Sequence, residues 1–233
     1  MKKFIFLSLT ALTLNTVFAQ ADKQENLQNR AVGSFHAITV ANGIDLYLSQ
    51  GTPSVAVGAS KAEYRDHIQT TVEDGLLKIY LERGYHAPDG ARLRAFVSVS
   101  ELDRLGASGG SDTYLQNEIV AKDLKIDLSG GSDLKGKLRA DELEIRQSGG
   151  SDVNLAGPVK SLKIEASGGS DLHGYDLVAD DVSVSASGGS DTYFTANHAL
   201  TVSASGGSDV SYKGSALAVN IRSSGGGSVV KKN

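Results

Sequence analysis

The chain has 233 residues, with 23 Lys and Arg against 27 Asp and Glu, a formal charge of −4, 27 Gly, 3 Pro and no Cys. Mild acidity with scattered Lys and Arg argues against nucleic acid as a partner. Without Cys there is no disulfide framework, no thiolate metal site and no acylated lipoprotein anchor, and high Gly with little Pro points to many tight bends joining short strands rather than to a disordered linker.

In chain order, MKKFIFLSLTALTLNTVFAQA starts with Lys2 and Lys3, continues through an apolar run from Phe4 to Leu14, and places Val17 and Ala19 as the small residues of a cleavage site. This is the pattern of a secretory signal peptide over residues 1–19, and it predicts an exported protein, in the periplasm or at the cell surface or beyond. The apolar run is too short to span a bilayer, and no later segment qualifies as a transmembrane segment. Residues 20–30 lack an apolar pattern and read as a flexible N-terminus. FHAITVANGIDLYLSQG then alternates at Ile38 and Val40, turns at Asn42-Gly43, and alternates again at Ile44, Leu46 and Leu48, a strand–turn–strand signal. SVAVGA is another strand. Ser60 and Glu63 make a capping box for a short helix running to Ile68. TTVEDGLLKIYLE reads as two strands about Asp74-Gly75, and ARLRAFVSVS as one more. Residues 31–100 are therefore a β-rich section with one short helix, packing on or starting the repetitive region of residues 101–228.

That region repeats a pentapeptide. SGGSD stands at 108–112, 129–133, 148–152, 167–171, 187–191 and 205–209, with a degenerate SGGGS at 224–228, at intervals of 18 to 21 residues. Such a period is the mark of repeat architecture. Before each first Ser, apolar columns alternate with polar ones: Leu105, Ile126, Ile145, Ile164, Val184 and Val202 stand three before, and Leu124, Leu143, Leu162, Val182 and Leu200 five before. Gln147 interrupts the column one before. In the polar columns, charges oppose from one repeat to the next, Lys125 against Glu144 against Lys163 and Asp127 against Arg146 against Glu165. Opposite charges facing each other stabilise paired strands. The pattern predicts an all-β fold: a right-handed, single-stranded parallel β-helix (a β-solenoid), with coils roughly 4.8 Å apart. Residues 229–233 read as a tail, in which Lys231 and Lys232 discourage end-to-end pairing.

Within the pentapeptide, the two glycines allow the backbone angles of a corner. Strand alternation points the second Ser inward, at Ser111, Ser132, Ser151, Ser170, Ser190 and Ser208, where the hydroxyls could bond up the stack. It points Asp112, Asp133, Asp152, Asp171, Asp191 and Asp209 outward as a ladder, and these six are the candidate ligand-binding residues. Like charges about 4.8 Å apart repel by roughly 1 kcal/mol in water, an expense that turn N–H groups, solvation or a shared Ca²⁺ could offset. No cofactor is required by the pattern, and Ca²⁺ is the cation it would take if one were bound.

The segments FHAITVANGIDLYLSQG (35–51) and VEDGLLKI (72–79), followed by the stacked SGGSD copies, resemble the head GIN domain family of auto-transporter adhesins, a bacterial domain of unknown function, over most of residues 31–228. The resemblance implies an exported β-helical protein, membrane- or surface-associated, with a proposed adhesive role and no catalytic residues to transfer. An auto-transporter continues into a translocation barrel, whereas this sequence ends close after its last repeat, so self-export is not expected.

Catalytic signatures are missing from the sequence. His36, His67, His86, His173 and His198 have no metal-ligand spacing, and neither a nucleophile elbow nor a phosphate-binding loop occurs. A β-helix can carry a polysaccharide-processing enzyme on clustered carboxylates, but here the Asp residues are alike in every coil, whereas an active site breaks its repeat at one place. A purely structural envelope component is the other alternative. The reading is a non-catalytic adhesin or envelope interaction protein that presents a flat repeat face to a glycan or protein partner. Tyr114, Tyr175, Tyr193, Phe194 and Tyr212 are available to either the face or the core, with the core favoured for those in apolar columns.

Overall fold

The computed structural model describes residues 26–233; residues 1–19, which the sequence reads as a signal peptide, lie outside them. Among the described residues, the regular structure apart from one helical turn is β, arranged as a solenoid of about 7 turns. Its repeating part runs through β10 (Ile119–Ser129), β11 (Asp133–Ser148), β12 (Asp152–Ala166), β13 (Asp171–Ala186) and β14 (Asp191–Ala204). Each of these strands bends, so that one strand supplies several sides of a rung. All neighbours pair in parallel, and the register is the one the repeat predicts: Asp133↔Asp152↔Asp171↔Asp191, Ile126↔Ile145↔Ile164↔Val184↔Val202.

The alternation explains the packing. Leu134, Val153, Leu172 and Val210 are fully buried on one side of the rung, and Ile126, Ile145, Ile164, Val184 and Val202 on another, giving one continuous apolar column system. A single rung could not bury these side chains; the rungs above and below do it. Gln147 lies in this core, and its amide atoms find no hydrogen-bond partner. Phe194 and Tyr212 are core residues, stacked at 6.3 Å.

The SGGSD corner explains its own letters. The first Gly of every copy has φ between +63° and +80°. At Gly168 a Cβ would also stand 2.9 Å from the carbonyl oxygen of Gly149 and 3.0 Å from its nitrogen. Corners sit directly on corners, joined by bonds such as Gly189 N–H to the Gly168 carbonyl at 2.7 Å, so both the dihedral and the close approach demand glycine. The second Ser is buried in all six copies. Its hydroxyl bonds up the stack at Ser132, Ser190 and Ser208, through main-chain carbonyls of the neighbouring rung. Carbonyls of the turn itself are also in reach, those of Ser129 for Ser132, Ser167 for Ser170 and Ser205 for Ser208, whereas Ser111 accepts the Ile44 N–H and the Ser151 hydroxyl has no partner among the described residues.

The N-terminal section belongs to the same sheet. It contains β1 (Gln28–Asn29), β2 (Ala37–Val40), β3 (Ile44–Gln50), β4 (Ser54–Ala59), α1 (Ala62–Arg65), β5 (Ile68–Glu73), β6 (Leu76–Leu81), β7 (Leu93–Val99), β8 (Arg104–Ser108) and β9 (Thr113–Leu115). Strands β2 and β3 do not pair with each other as a hairpin. Each lies between two parallel partners, β2 between β6 and β8, and β3 between β7 and β9. The first rung in sequence is thus the second in space, slotted between a rung made of β6–β7 and one made of β8–β9. Asn42 (φ +67°) and Gly43 (φ +71°) adopt the same left-handed angles as Gly109 (+63°) and Gly110 (+74°) above them; Asn-Gly is a Gly-Gly corner in other letters. β5 and β6 do form the hairpin about Asp74-Gly75, with Glu73 opposite Leu76.

Three local expectations change. The helix is one turn with Lys61 at its N-cap and no side-chain cap bond; Ser60 instead accepts the Arg92 N–H at 3.3 Å, and Ile68 is a buried strand residue. Part of the stretch read as flexible is paired: Gln28 and Asn29 lie antiparallel to β4, and Arg30 donates to the Ile68 carbonyl. The tail is β17 (Ser228–Lys231), which pairs with β15 (Asp209–Lys213), as β16 (Ala218–Ser223) pairs with β14.

Candidate binding face

Each rung shows two broad sides to solvent. One is built by β6, β2, β8, the later halves of β10 to β14, and β16; its outward columns carry alternating charge. Glu144, with a side chain only 17% exposed, takes Lys163 at 2.8 Å, Arg146 at 2.9 Å and Lys125 at 3.9 Å. Arg104 meets Asp127 at 3.0 Å, and Arg146 meets Glu165 at 3.2 Å. The hydrogen bond from Lys163, assisted by its charge and that of Arg146, holds the Glu144 carboxyl below the usual carboxylate range. A depression of about 720 Å³ on this charge face passes over Gly106 and the first-Ser column at Ser108, Ser129 and Ser148. Sequence reasoning missed it, although Gly106, an outward residue without a side chain, was its signal.

The other side is built by β7, β3, β9, the first halves of β11 to β14, β15 and β17, and it carries the six predicted Asp residues. They do stack. Register places Asp133, Asp152, Asp171, Asp191 and Asp209 on successive rungs, and Asp112 Oδ1 accepts the Asp133 N–H at 3.2 Å. Asp45 extends the column by one more rung: Leu46 pairs with Thr113, and the Leu46 N–H donates to the Asp112 carbonyl at 2.7 Å. The sequence reading missed Asp45 because Ala41-Asn42-Gly43-Ile44-Asp45 spells the corner without its serines. The column is closed at one end by Arg94, opposite Asp45, and at the other by Ser228, opposite Asp209.

Turn chemistry offsets part of the repulsion. Asp171 Oδ1 accepts the Asp191 N–H at 3.2 Å, as Asp112 does for Asp133. Tyr114 and Tyr193 each donate a hydroxyl, at 3.3 Å, to the Asp two residues before them. What is left shows in the acidities. Burial, then the charges of Asp133 and Asp171, raises the Asp152 carboxyl, and burial, then Asp112, raises that of Asp45. Among the described residues, no three His, Cys, Asp or Glu side chains converge as a metal site.

Beside the Asp column runs a second outward column: Phe96, Tyr47, Tyr114, Lys135, Asn154, His173, Tyr193 and Ser211. Its aromatic members stack along the solenoid, Phe96 on Tyr47 at 5.1 Å, Tyr47 on Tyr114 at 5.3 Å and His173 on Tyr193 at 5.5 Å. Of the aromatics named from sequence, Tyr114, Tyr175 and Tyr193 are therefore on this face, while Phe194 and Tyr212 are core.

The fold and the two faces define a class: a parallel β-solenoid that displays repeated side chains on long flat sides, bounded by corners of glycine. The chain belongs to the family described as "Putative auto-transporter adhesin, head GIN domain", whose model matches residues 34–216. Solved structures share the fold at low identity. A putative adhesin from Bacteroides fragilis is 19% identical, with a TM-score of 0.84 over 88% of this chain and 96% of that one. A putative adhesin from Parabacteroides merdae is 17% identical, with a TM-score of 0.67 over 89% and 95%. A protein from Parabacteroides distasonis described as a putative lipid binding protein is 17% identical, with a TM-score of 0.66 over 89% and 96%. No curated protein matches the chain.

Proposed function

We propose that this chain is an exported, non-catalytic interaction module of the cell envelope, which presents its Asp-ladder face to a glycan or protein partner. The observation that carries the proposal is the ladder itself: seven outward carboxylates from Asp45 to Asp209 on successive rungs, flanked by stacked rings, at an electrostatic cost seen at Asp45 and Asp152. A hydrolase on such a fold needs two carboxylates in unlike environments, one acid and one base. Here the same carboxylate recurs on every rung of the ladder rather than meeting an unlike one at a single place. The family's adhesin description supports binding rather than turnover, and the signal-peptide pattern of residues 1–19 supports export to the periplasm or beyond. No helix among the described residues is long and apolar enough to cross a membrane.

Binding of the purified protein to glycan arrays, and pull-down from envelope extracts, tests the proposal. Both signals are expected to fall when Asp112, Asp133, Asp152, Asp171, Asp191 and Asp209 are replaced by Asn. Unchanged binding would remove the ladder from the account, and turnover of a polysaccharide would overturn the non-catalytic reading. No cofactor is part of the proposal, so equal melting temperatures in Ca²⁺ and in chelator are expected.

A further inference from the structure

We propose that a bulge in β13 builds a subsite for one pyranose ring of a neutral glycan. The inference rests on the ladder face being a binding face, and it locates one contact within it. The ladder is regular, but the strand beside it is not. Register slips between Asn154 and Gly157 against β13, and again between Gly174 and Val178 against β14. A bulge of this kind re-aims side chains. Gly174 permits it: a Cβ there would stand 2.8 Å from Leu172 Cδ2 and 2.9 Å from the Tyr193 carbonyl oxygen. The Tyr175 ring lies at 58° to that of Tyr193, 5.4 Å away, while His173 lies flat against Tyr193 at 5.5 Å and 6°.

Together Asn154, Leu155, His173, Tyr175, Asp176 and Tyr193 line a pocket of about 320 Å³, at the small end of ligand sites. Asn154 pairs in register with His173 and is shorter than the rings that follow it in the column, which leaves the space. The lining chooses its ligand. Aromatic surfaces bind C–H faces, as a pyranose offers on one side. The Asn154 amide and the Asp176 carboxylate meet the hydroxyl groups on its rim, with carboxylates accepting strongly. Asp152 and Asp171, two residues before Asn154 and His173 on the same rungs, disfavour an anionic sugar. A cationic ligand would want the Tyr175 ring, and Lys213 already stands 4.6 Å from its centroid. An extended peptide would want a free strand edge; β13 lies between β12 and β14, and its bulge frees only Tyr175 and Asp176 from both ladders, too short a stretch to pair a strand.

The test uses the full chain on an array of immobilised neutral hexose oligosaccharides, uronate and sulfated oligosaccharides, and amino-sugar oligosaccharides. Free neutral oligosaccharide is then titrated by tyrosine fluorescence, which no Trp obscures. Selective binding of neutral sugars is expected. Tyr175→Ala and His173→Ala should each weaken it about tenfold or more, Tyr175→Phe should keep it, and Lys160→Ala, on another side of the rung, should leave it unchanged. Melting temperatures confirm that each variant is folded. Binding confined to anionic or amino sugars, or neutral-sugar binding untouched by both Ala variants yet lost with the ladder Asp residues, overturns the subsite and leaves the binding face standing. Capture of a protein partner with no sugar bound does the same. Absence of any ligand, sugar or protein, overturns both.

Discussion

The two broad sides of each rung are made by the same strands, yet they handle charge in opposite ways. On the charge face, Lys125, Glu144 and Lys163 alternate in sign, and Glu144 is held ionised by Lys163 and Arg146. On the ladder face one carboxylate repeats, and its members at Asp45 and Asp152 are made harder to ionise by burial and by the carboxylates next to each of them in the column. Stacking alone therefore does not decide which side chains line up. Any in-register solenoid turns a repeated letter into a column, and the sign of that column is free. The charge face uses this freedom for stability; the ladder face gives some stability up. Hydrogen bonds from Asp133 N–H, Asp191 N–H, Tyr114 and Tyr193 make the ladder tolerable without removing its repulsion, and that residual cost is the physical reason for reading it as functional.

Breaking the corner between the two sides should have the largest effect. Gly188→Val places a β-branched residue at φ +75°, with its Cβ 2.9 Å from the Gly168 nitrogen and oxygen. A loss of about 3 kcal/mol or more is expected, roughly 6–12 °C in melting temperature for a domain of this size. Next comes Glu144→Lys, which leaves Lys125, Lys163 and Arg146 around a fourth cation. Chemical denaturation should show a loss on the order of 1–2 kcal/mol, shrinking in high salt. The wild-type contribution of Glu144 is present above the unfolded carboxylate value and is lost as pH falls through its depressed folded value.

Asp152→Asn should act in the reverse direction. The amide oxygen can still accept a main-chain N–H, while the repulsion from Asp133 and Asp171 disappears, so the variant should be more stable at neutral pH by about 0.5–1 kcal/mol. The sign follows from the raised folded value: the penalty is absent below the unfolded carboxylate value and grows as pH rises through the folded one. The advantage of the variant should therefore vanish near pH ~3. The smallest effect is expected at His198, exposed and 2.6 Å from Asp181, whose hydrogen bond and charge raise its value. That contribution is full below the unfolded value of about 6.5 and is lost as pH rises through the folded one, so Asp181→Asn should shift the melting temperature near pH ~5.5 and not near pH ~9.

Much of the fold was legible in the sequence because the repeat converts linear spacing into vertical neighbours. The opposing charges, the buried second Ser and the Asp column all follow from one register. What stayed hidden was set by edges rather than by local pattern. Nothing in Asn42-Gly43 distinguishes a hairpin turn from a solenoid corner; the choice depends on β6 and β8 flanking β2. Asp45 went unseen because Ile44 stands where the copies have Ser. Ile44 is buried like the Ser column, and its N–H donates to Ser111 Oγ at 3.0 Å. The Ser60 cap failed because Ser60 is engaged with Arg92 at the sheet edge. The β13 bulge had a faint signal, a 20-residue interval between the copies at 167 and 187 after two of 19, but spacing could not say where in the rung the extra residue sits or that it turns Tyr175 outward.

The most direct measurement joins melting temperature and ligand binding on one protein, the variant with the six SGGSD aspartates changed to Asn. If the ladder is kept for recognition at the expense of stability, that protein melts higher than wild type at neutral pH and binds its envelope ligand more weakly. Lower melting with full binding would mean the carboxylates hold the solenoid together, and the division of labour between its two sides would be wrong.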